Sequence, residues 1–461
     1  MRPATGRGGA GEPGAPDGAD PAPPAGAVEP VARLRSRARR AGEVVLQVEN
    51  AVARGLPADA ALSALFRSDP SCGSRDRRFY GDIAFAAFRW RGWAGSVSDE
   101  GVRAMIWAHL LEATDTHPAI GQAARDQGLS DSSPVGGATL RAKAERFASR
   151  RGLDAPPDIL ALAPAWLPAE FEAGAERVDD RPETLLRFVE SAQERPPLWL
   201  RADGVSGAEL VARLKAAGVR ATVSPALPRA VCVDGHPHLG ELERRIGPVF
   251  SVQDLASQAV GAVCEAAPGE SWWDVCAGAG GKSLDLAGRV GGGGRVLSTD
   301  VRASALRELE RRGRRAGVPI EVARRDGRRP RPGAFDGVLV DAPCSGVGTW
   351  GRSPDARWRA SPEAVARASR VQSELLAQAS AAVRPGGRLI YAVCTLTRRE
   401  TTDVASRFLE ERPDFRPARQ IHPITGEAAA DGRLWLWPWH GPCGGMFVAA
   451  FSHLAAGGGA S

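Results

Sequence analysis

Two cysteines and an aspartate carry the strongest chemical signal in this chain of 461 residues. Cys344 stands in Asp341-Ala-Pro-Cys-Ser-Gly346, directly after the apolar run FDGVLV, and Cys394 ends Tyr391-Ala-Val-Cys-Thr395 fifty positions later. A lone cysteine after an apolar run is usually a small buried hydrophobe. Two such cysteines beside an acid point instead to thiolate chemistry. A thiolate is a good nucleophile, and its pKa of about 8.5 falls near cations or helix N-termini. A third feature is the turn Asp274-Val-Cys276-Ala277-Gly278-Ala279-Gly280-Gly281-Lys282, which closes on one of only three lysines in the chain, the others being Lys143 and Lys215. Its glycines let the backbone approach a ligand, and the helix that follows presents free N–H groups. It is not a Walker loop, because Cys276 occupies the first glycine position, and its glycine spacing is not GxGxxG.

These residues need a scaffold that brings them together. Five short apolar runs end in them: SWWD before the glycine turn, RVLSTD ending at Asp300, PIEVARRD ending at Asp326, FDGVLVD ending at Asp341, and GGRLIYAVC ending at Cys394. Helix-like segments lie between, from Lys282 to Val290, Ala303 to Ala316 and Ser361 to Val383. Strand and helix in alternation predict a doubly wound parallel sheet. In such sheets ligands bind beyond the carboxyl ends of the strands, so all five ends should face one crevice. Asp300 then suits a ribose diol and Asp326 an adenine amino group, which together fit an adenosyl cofactor. Closing strands are expected at Leu434-Trp-Leu-Trp437 and Gly445 to Phe451.

The rest of the chain divides by composition. Residues 1–30 are rich in Gly, Pro and Ala and read as a disordered tail, as does the glycine-alanine C-terminus. Residues 31–155 carry helical periodicity, including the amphipathic DRRFYGDIAFAAFRWRGW with aromatics expected inside and arginines outside. Residues 156–181 hold proline clusters and read as a linker that packs through Trp166. Residues 182–250 alternate helix and strand signals, as in a small RRM-like α+β domain, where Trp199-Leu200-Arg201 either lines a groove or packs as a strand. Residues 251–455 hold the doubly wound sheet, with Gln253 and Asp254 at the start of its first helix.

Bulk properties exclude several classes. There is no apolar run of about 18 residues and no secretory or transit segment, which leads to an expectation of a cytoplasmic protein without membrane contact. Seven cysteines with no CxxC pair argue against disulfide frameworks and zinc ribbons, and no metal is expected. His236 and His238, around a proline, read as a loop. The net charge of +6 fits a nucleic-acid partner. Nine arginines between 311 and 331 form the densest basic run, either a phosphate-binding strip or a solvated face.

With these motifs in place, the sequence resembles the RNA 5-methylcytosine methyltransferase family of the RsmB/Nop/Sun type. The match runs from about Pro164 to Phe451. It rests on Asp341-Ala-Pro-Cys-Ser-Gly, Arg352-Ser-Pro-Asp-Ala-Arg-Trp358, the Tyr-x-x-Cys strand and Phe250-Ser-Val-Gln-Asp254. The segment SRDRRFYGDIAFAAFRW resembles the NusB-like RNA-binding domain that heads the bacterial 16S ribosomal RNA branch. The resemblance implies a class I, Rossmann-like fold and S-adenosyl-L-methionine as cofactor. That cofactor would be held by Cys276, Ala277, Gly278, Ala279, Gly280, Gly281, Lys282, Asp300, Asp326 and Asp341. It also implies RNA, small-subunit ribosomal RNA above all, as partner. Cys394 would be the nucleophile, Cys344 would serve product release, and Asp341 would assist. DNA methyltransferases use a Pro-Cys cysteine as nucleophile, so the swapped roles stay open here. So do a transfer RNA substrate, and an idle RNA-binding or assembly protein with a vestigial crevice. The chain departs from the family pattern at Gly278-Ala279, where Ala-Pro is usual, at Val393, where Thr is usual, and at Thr401-Thr402 after Glu400.

Overall fold

The computed structural model describes residues 29–171, 181–327 and 335–455. Residues 1–28 of the expected tail, 172–180 of the expected linker, the glycine-alanine end, and Arg328, Arg329 and Arg331 of the basic run lie outside them.

The N-terminal part is helical. Its longer helices are Val31–Ala53, Ala58–Ser68, Ser74–Ala94, Val102–Glu112, Pro118–Asp126 and Leu140–Arg151. Apolar residues at helical spacing, among them Val45, Phe88, Trp90, Ile106 and Trp107, converge on one core. The helix Ser74–Ala94 keeps its aromatics inward, but the expectation that its arginines face out fails at Arg89. That side chain is buried, pairs with Glu112 at 2.5 Å and donates to the Gly351 carbonyl at 2.9 Å. A buried guanidinium needs such partners. The helix Arg181–Ser191 packs Leu185, Phe188 and Val189 into the same core.

Two sheets follow. The smaller is antiparallel, in the order β2-β3-β1-β4, built from β1 (Leu198–Ala202), β2 (Ala221–Val223), β3 (Ala230–Val233) and β4 (Phe250–Val252). Helices Gly207–Ala216 and Leu239–Ile246 give it its own small core around Leu200, Leu210 and Val231.

The larger sheet uses β5 (Ser271–Asp274), β6 (Arg295–Asp300), β7 (Glu321–Arg324), β8 (Phe335–Asp341) and β9 (Val383–Val393) as parallel strands in the order β7-β6-β5-β8-β9. After β9 come β10 (Phe415–Pro417), the isolated pair β11 (Gln420–Ile421) and β12 (Ala428–Ala429), then β13 (Arg433–Leu436) and β14 (Met446–His453). β14 runs antiparallel between β9 and β10, and β13 pairs with it. The interior strands are almost wholly buried, which is why their sequences read as continuous apolar runs. The strand order reverses between β5 and β8, and that switch point opens the crevice. This is an α/β Rossmann-like fold behind a helical N-terminal region.

The segment 351–358 joins the helical region to the sheet. Asp355 accepts from the backbone N–H of Ala58 at 3.1 Å, at a helix start whose own cap residue, Pro57, supplies no side-chain acceptor. The indole of Trp358 donates to the Phe88 carbonyl at 2.7 Å. Arg357, buried, donates to the carbonyls of Leu162 and Ala192 at 2.8 and 2.9 Å. Burial lowers its pKa to about 9. Trp166 meets Trp350 edge-on at 6.3 Å, the packing foreseen for the proline-rich stretch. Arg357→Met keeps the apolar stem but leaves two buried carbonyls without donors. It should cost about 2 kcal/mol or more in chemical denaturation, and an unchanged midpoint would show that the clamp contributes nothing.

Candidate active site

The glycine turn follows β5 and enters the helix Gly281–Val290. Gly278 and Gly280 take φ of +55° and +85°, the left-handed region that L side chains avoid. A side chain at Gly280 would also strike Leu309. The turn is braced from behind: Arg201 of β1 bonds to the Gly281 carbonyl and, at 2.6 Å, to Gln253, while Arg312 donates to the Ala279 carbonyl at 2.7 Å. Arg201 is therefore a support, and Trp199 packs, its indole donating to the Pro442 carbonyl. Members of the arginine run are likewise engaged: Arg311 with Glu308, Arg312 here, Arg315 with Glu243 and Arg324 with the Val301 carbonyl.

In front of the turn lies a cavity of about 690 Å³. Of the residues expected to hold a cofactor, Cys276, Ala277, Gly278, Ala279, Gly281, Lys282, Asp300, Asp326 and Asp341 line it. Gly280 does not; it turns the chain beneath. Val301, Arg302, Ala342, Pro343, Val371 and Leu375 also line it and were not singled out from sequence. Val371 and Leu375 come from the helix Pro362–Ser380, whose apolar periodicity gave no hint of which turn would reach the crevice. Asp300 accepts from the Gly278 amide at 2.9 Å and from Arg302. Burial opposes its charge, but those bonds outweigh it and hold the carboxyl below its ordinary value.

A second cavity of about 320 Å³ adjoins the first. Ser257, Lys282 and Asp341 line both, so they form the wall between. In that wall Lys282 Nζ bonds to Asp341 Oδ2 at 2.7 Å. Burial alone would lower the lysine pKa, but the Asp341 carboxylate, with Asp274 and Cys394 beyond, raises it. Cys394 opens into the second cavity, whose other walls come from Phe188, Ser191 and Ala192, from 348–353 and from 443–446.

The two candidate cysteines sit with their sulfurs 3.2 Å apart. The Cys394 thiol is lowered from its ordinary pKa, first by the hydrogen bond from Cys344 and also by Lys282, against burial and the Asp341 charge. Cys344 is driven up by the same pairing, by burial and by Glu400. Of the two, Cys394 is therefore the thiol that gives up its proton more readily.

Sequence reasoning gave no role to Glu400, which entered only as the residue before the Thr401-Thr402 departure. It is fully buried. One oxygen accepts from the Ser345 amide and Gln372 at 2.8 and 3.0 Å; the other accepts from the hydroxyls of Ser345, Thr397 and Thr395 at 2.5, 2.8 and 3.2 Å. It fastens the residue after each cysteine.

The doubly wound sheet, with a cavity beyond the carboxyl ends of its strands and Asp300 and Asp326 in its lining, has the architecture of S-adenosylmethionine-dependent methyltransferases. A family model described as 16S rRNA methyltransferase RsmB/F matches residues 262–452. Putative methyltransferase Rv1407 of Mycobacterium tuberculosis is 32% identical over 466 residues, covering 90% of this chain and 96% of its own length. Ribosomal RNA small subunit methyltransferase B of Klebsiella pneumoniae is 31% identical over 278 residues, 59% of this chain and 62% of that protein. The crystal structure of PH0851 superposes with TM-score 0.69 over 92% of this chain and 99% of that one at 20% identity, a likeness of fold. The chain belongs to the RsmB/F methyltransferase family.

Among the described residues no helix is long and apolar enough to cross a membrane, and no cluster of three or more His, Cys, Asp or Glu side chains could hold a metal ion.

Two pH effects follow. Alkylation of Cys394 should proceed with a midpoint below that of an ordinary thiol, and the midpoint should move upward in Cys344→Ala, which removes the donor. An unmoved midpoint, read by mass spectrometry of the labelled peptide across pH, would deny the shared proton. Asp274, buried with one oxygen on Ser283, is pushed by burial from 3.8 up to about 7. Between those values the folded chain binds a proton that the unfolded chain lacks, so this group's contribution to stability falls as pH rises. His109 and His440, lowered by burial to about 4, act in the opposite sense below their unfolded pKa. Asp274→Asn should therefore flatten the fall in melting temperature between pH 5 and 8 (a range of roughly three units around the shifted value) relative to wild type.

Proposed function

We infer that the protein forms 5-methylcytosine in RNA, with small-subunit ribosomal RNA as substrate, through a covalent bond between Cys394 and carbon 6 of the cytosine. The observation that carries this reading is the shared wall. A thiol biased toward thiolate opens into a base-sized cavity, and only Ser257, Lys282 and Asp341 separate that cavity from the one suited to the cofactor. The ribosomal substrate draws on the small-subunit methyltransferases among its relatives.

Carbon 5 of cytosine is a weak nucleophile. Attack of the Cys394 thiolate on carbon 6 makes carbon 5 enamine-like. Bound S-adenosylmethionine supplies the electrophilic methyl group that carbon 5 then takes. A proton taken up by N3 from solvent and held there by Asp341, which bonds to Lys282 Nζ at 2.7 Å, draws charge away from the ring as sulfur adds. Water takes the carbon 5 proton, the C–H electron pair closes the ring double bond, the carbon–sulfur pair leaves with Cys394 as thiolate and N3 returns its proton to solvent; Cys344, whose sulfur adjoins Cys394, serves that release. The glycine turn from Cys276 to Lys282, with Asp300 and Asp326, is the proposed cofactor cradle. The region 31–155 is the proposed NusB-like RNA-binding domain, with a linker at 156–181, an RRM-like domain at 182–250 and the catalytic domain at 251–455.

Cys394→Ala should abolish methyl transfer, and full activity would remove it as nucleophile. Cys344→Ala should accumulate an RNA–protein adduct, seen as a slow band on a denaturing gel. An adduct appearing only with Cys394→Ala would reverse the two roles.

A further inference from the structure

Three tryptophans leave β13 at alternate positions and stack. Trp435 lies on Trp437 with ring centroids 5.4 Å apart and planes 10° apart, and Trp437 on Trp439 at 4.9 Å and 6°. The guanidinium of Arg187 lies over the Trp439 ring, 4.5 Å from its centroid. The result is a ladder of four planar groups, whose last rung is an exposed arginine. Buried tryptophans that stack are ordinary core packing, but the outer end of this ladder is not in the core. Trp439 is partly exposed, and Arg187 makes no ion pair among the described residues, although many arginines of this chain do.

Position gives the ladder a use. Pro438, between the second and third tryptophans, lines the cavity that Cys394 opens into, and so do Phe188 and Ser191, on the same helix as Arg187. The outer end of the ladder is thus next in the chain to residues that line that cavity. An enzyme that takes a cytosine out of an RNA stack leaves the neighbouring base without a stacking partner. Aromatic rings and arginine planes are the groups that replace such a partner, and the stack is tolerant of base identity. A guanidinium laid on a ring offers a second flat face and a positive charge.

We propose that Arg187, held flat by Trp439, is the stacking platform for the unpaired RNA base next to the target cytosine. The proposal rests on the cytosine-cavity reading above and adds a subsite to it. It assigns Arg187 a binding role through its plane and not through charge alone.

The test uses the full chain and a short single-stranded oligoribonucleotide with one cytosine between purines, compared with versions abasic on the 5′ or the 3′ side of that cytosine. In the wild type, one abasic version should bind about tenfold more weakly by fluorescence anisotropy. Arg187→Ala should bind the intact oligonucleotide about that much more weakly and show no further loss with the abasic one. Arg187→Lys should behave as Arg187→Ala, because it keeps the charge without the plane. If Arg187→Lys retains both wild-type affinity and the abasic penalty, the residue is a phosphate contact and the platform is overturned. An equal abasic penalty in all three proteins overturns it as well. Methyl transfer to bulk RNA, run in parallel, separates the two readings: transfer with no such abasic pattern sinks the platform alone, and no transfer sinks the cytosine reading with it.

Discussion

One buried carboxylate sets the geometry of the catalytic crevice. Removing Glu400 from water carries a large desolvation cost, which is tolerable only because both oxygens are filled by donors. Those donors come from three separate elements. Ser345 belongs to the loop after β8, Thr395 and Thr397 to the turn after β9, and Gln372 to the helix that connects the two strands. Gln372 in turn donates to the Pro343 carbonyl and accepts from Tyr391, whose hydroxyl lies within the same web. A thiol pair at 3.2 Å is useful only if neither sulfur drifts, and satisfied polar networks rigidify in this way. The two cysteines meet because the residues beside them are bonded to the same group.

The second constraint is that the smaller cavity has no wall wholly from one part of the chain. The ends of β8 and β9 supply Asp341 and Cys394, the helix Gly281–Val290 supplies Lys282, the helix Arg181–Ser191 supplies Phe188 and Ser191, and the segment 348–353 supplies the edge. That same segment continues into the Asp355, Arg357 and Trp358 contacts that grip the helical region. Docking of the N-terminal helices and closure of the cavity therefore use one continuous stretch of backbone. A shift of the helical region must move the cavity edge, so the two are mechanically coupled.

The catalytic sheet was readable because its signals are local. Buried parallel strands write continuous apolar runs, and the residues at their ends are polar, so strand order along the sequence gave Asp300, Asp326, Asp341 and Cys394 a common side. The glycines of the turn announced a close backbone approach, and positive φ at Gly278 and Gly280 agrees. Glu400, Arg89, Arg201 and Arg357 were not readable. Each is a buried charge with at least one partner more than twenty positions away, and charged residues at such positions look in sequence like solvated helix or strand faces. The segment 352–358 could be matched as a motif, but nothing in its residues says that it grips helices some 270 positions earlier.

The lysine at the turn shows why composition can carry mechanism. The chain uses arginine for almost every cation, yet it keeps Lys282 where two cavities share a wall. A guanidinium brings five donors in a fixed fork and needs acceptors for them; an ammonium concentrates its charge on one atom. Here that atom bonds to Asp341 Oδ2 and also lowers the Cys394 thiol. A fork would place its charge over a wider plane, crowd the thin wall and leave donors buried without partners. The compact charge bonds to the acid and draws the thiol toward thiolate, so one side chain in the shared wall acts on both groups.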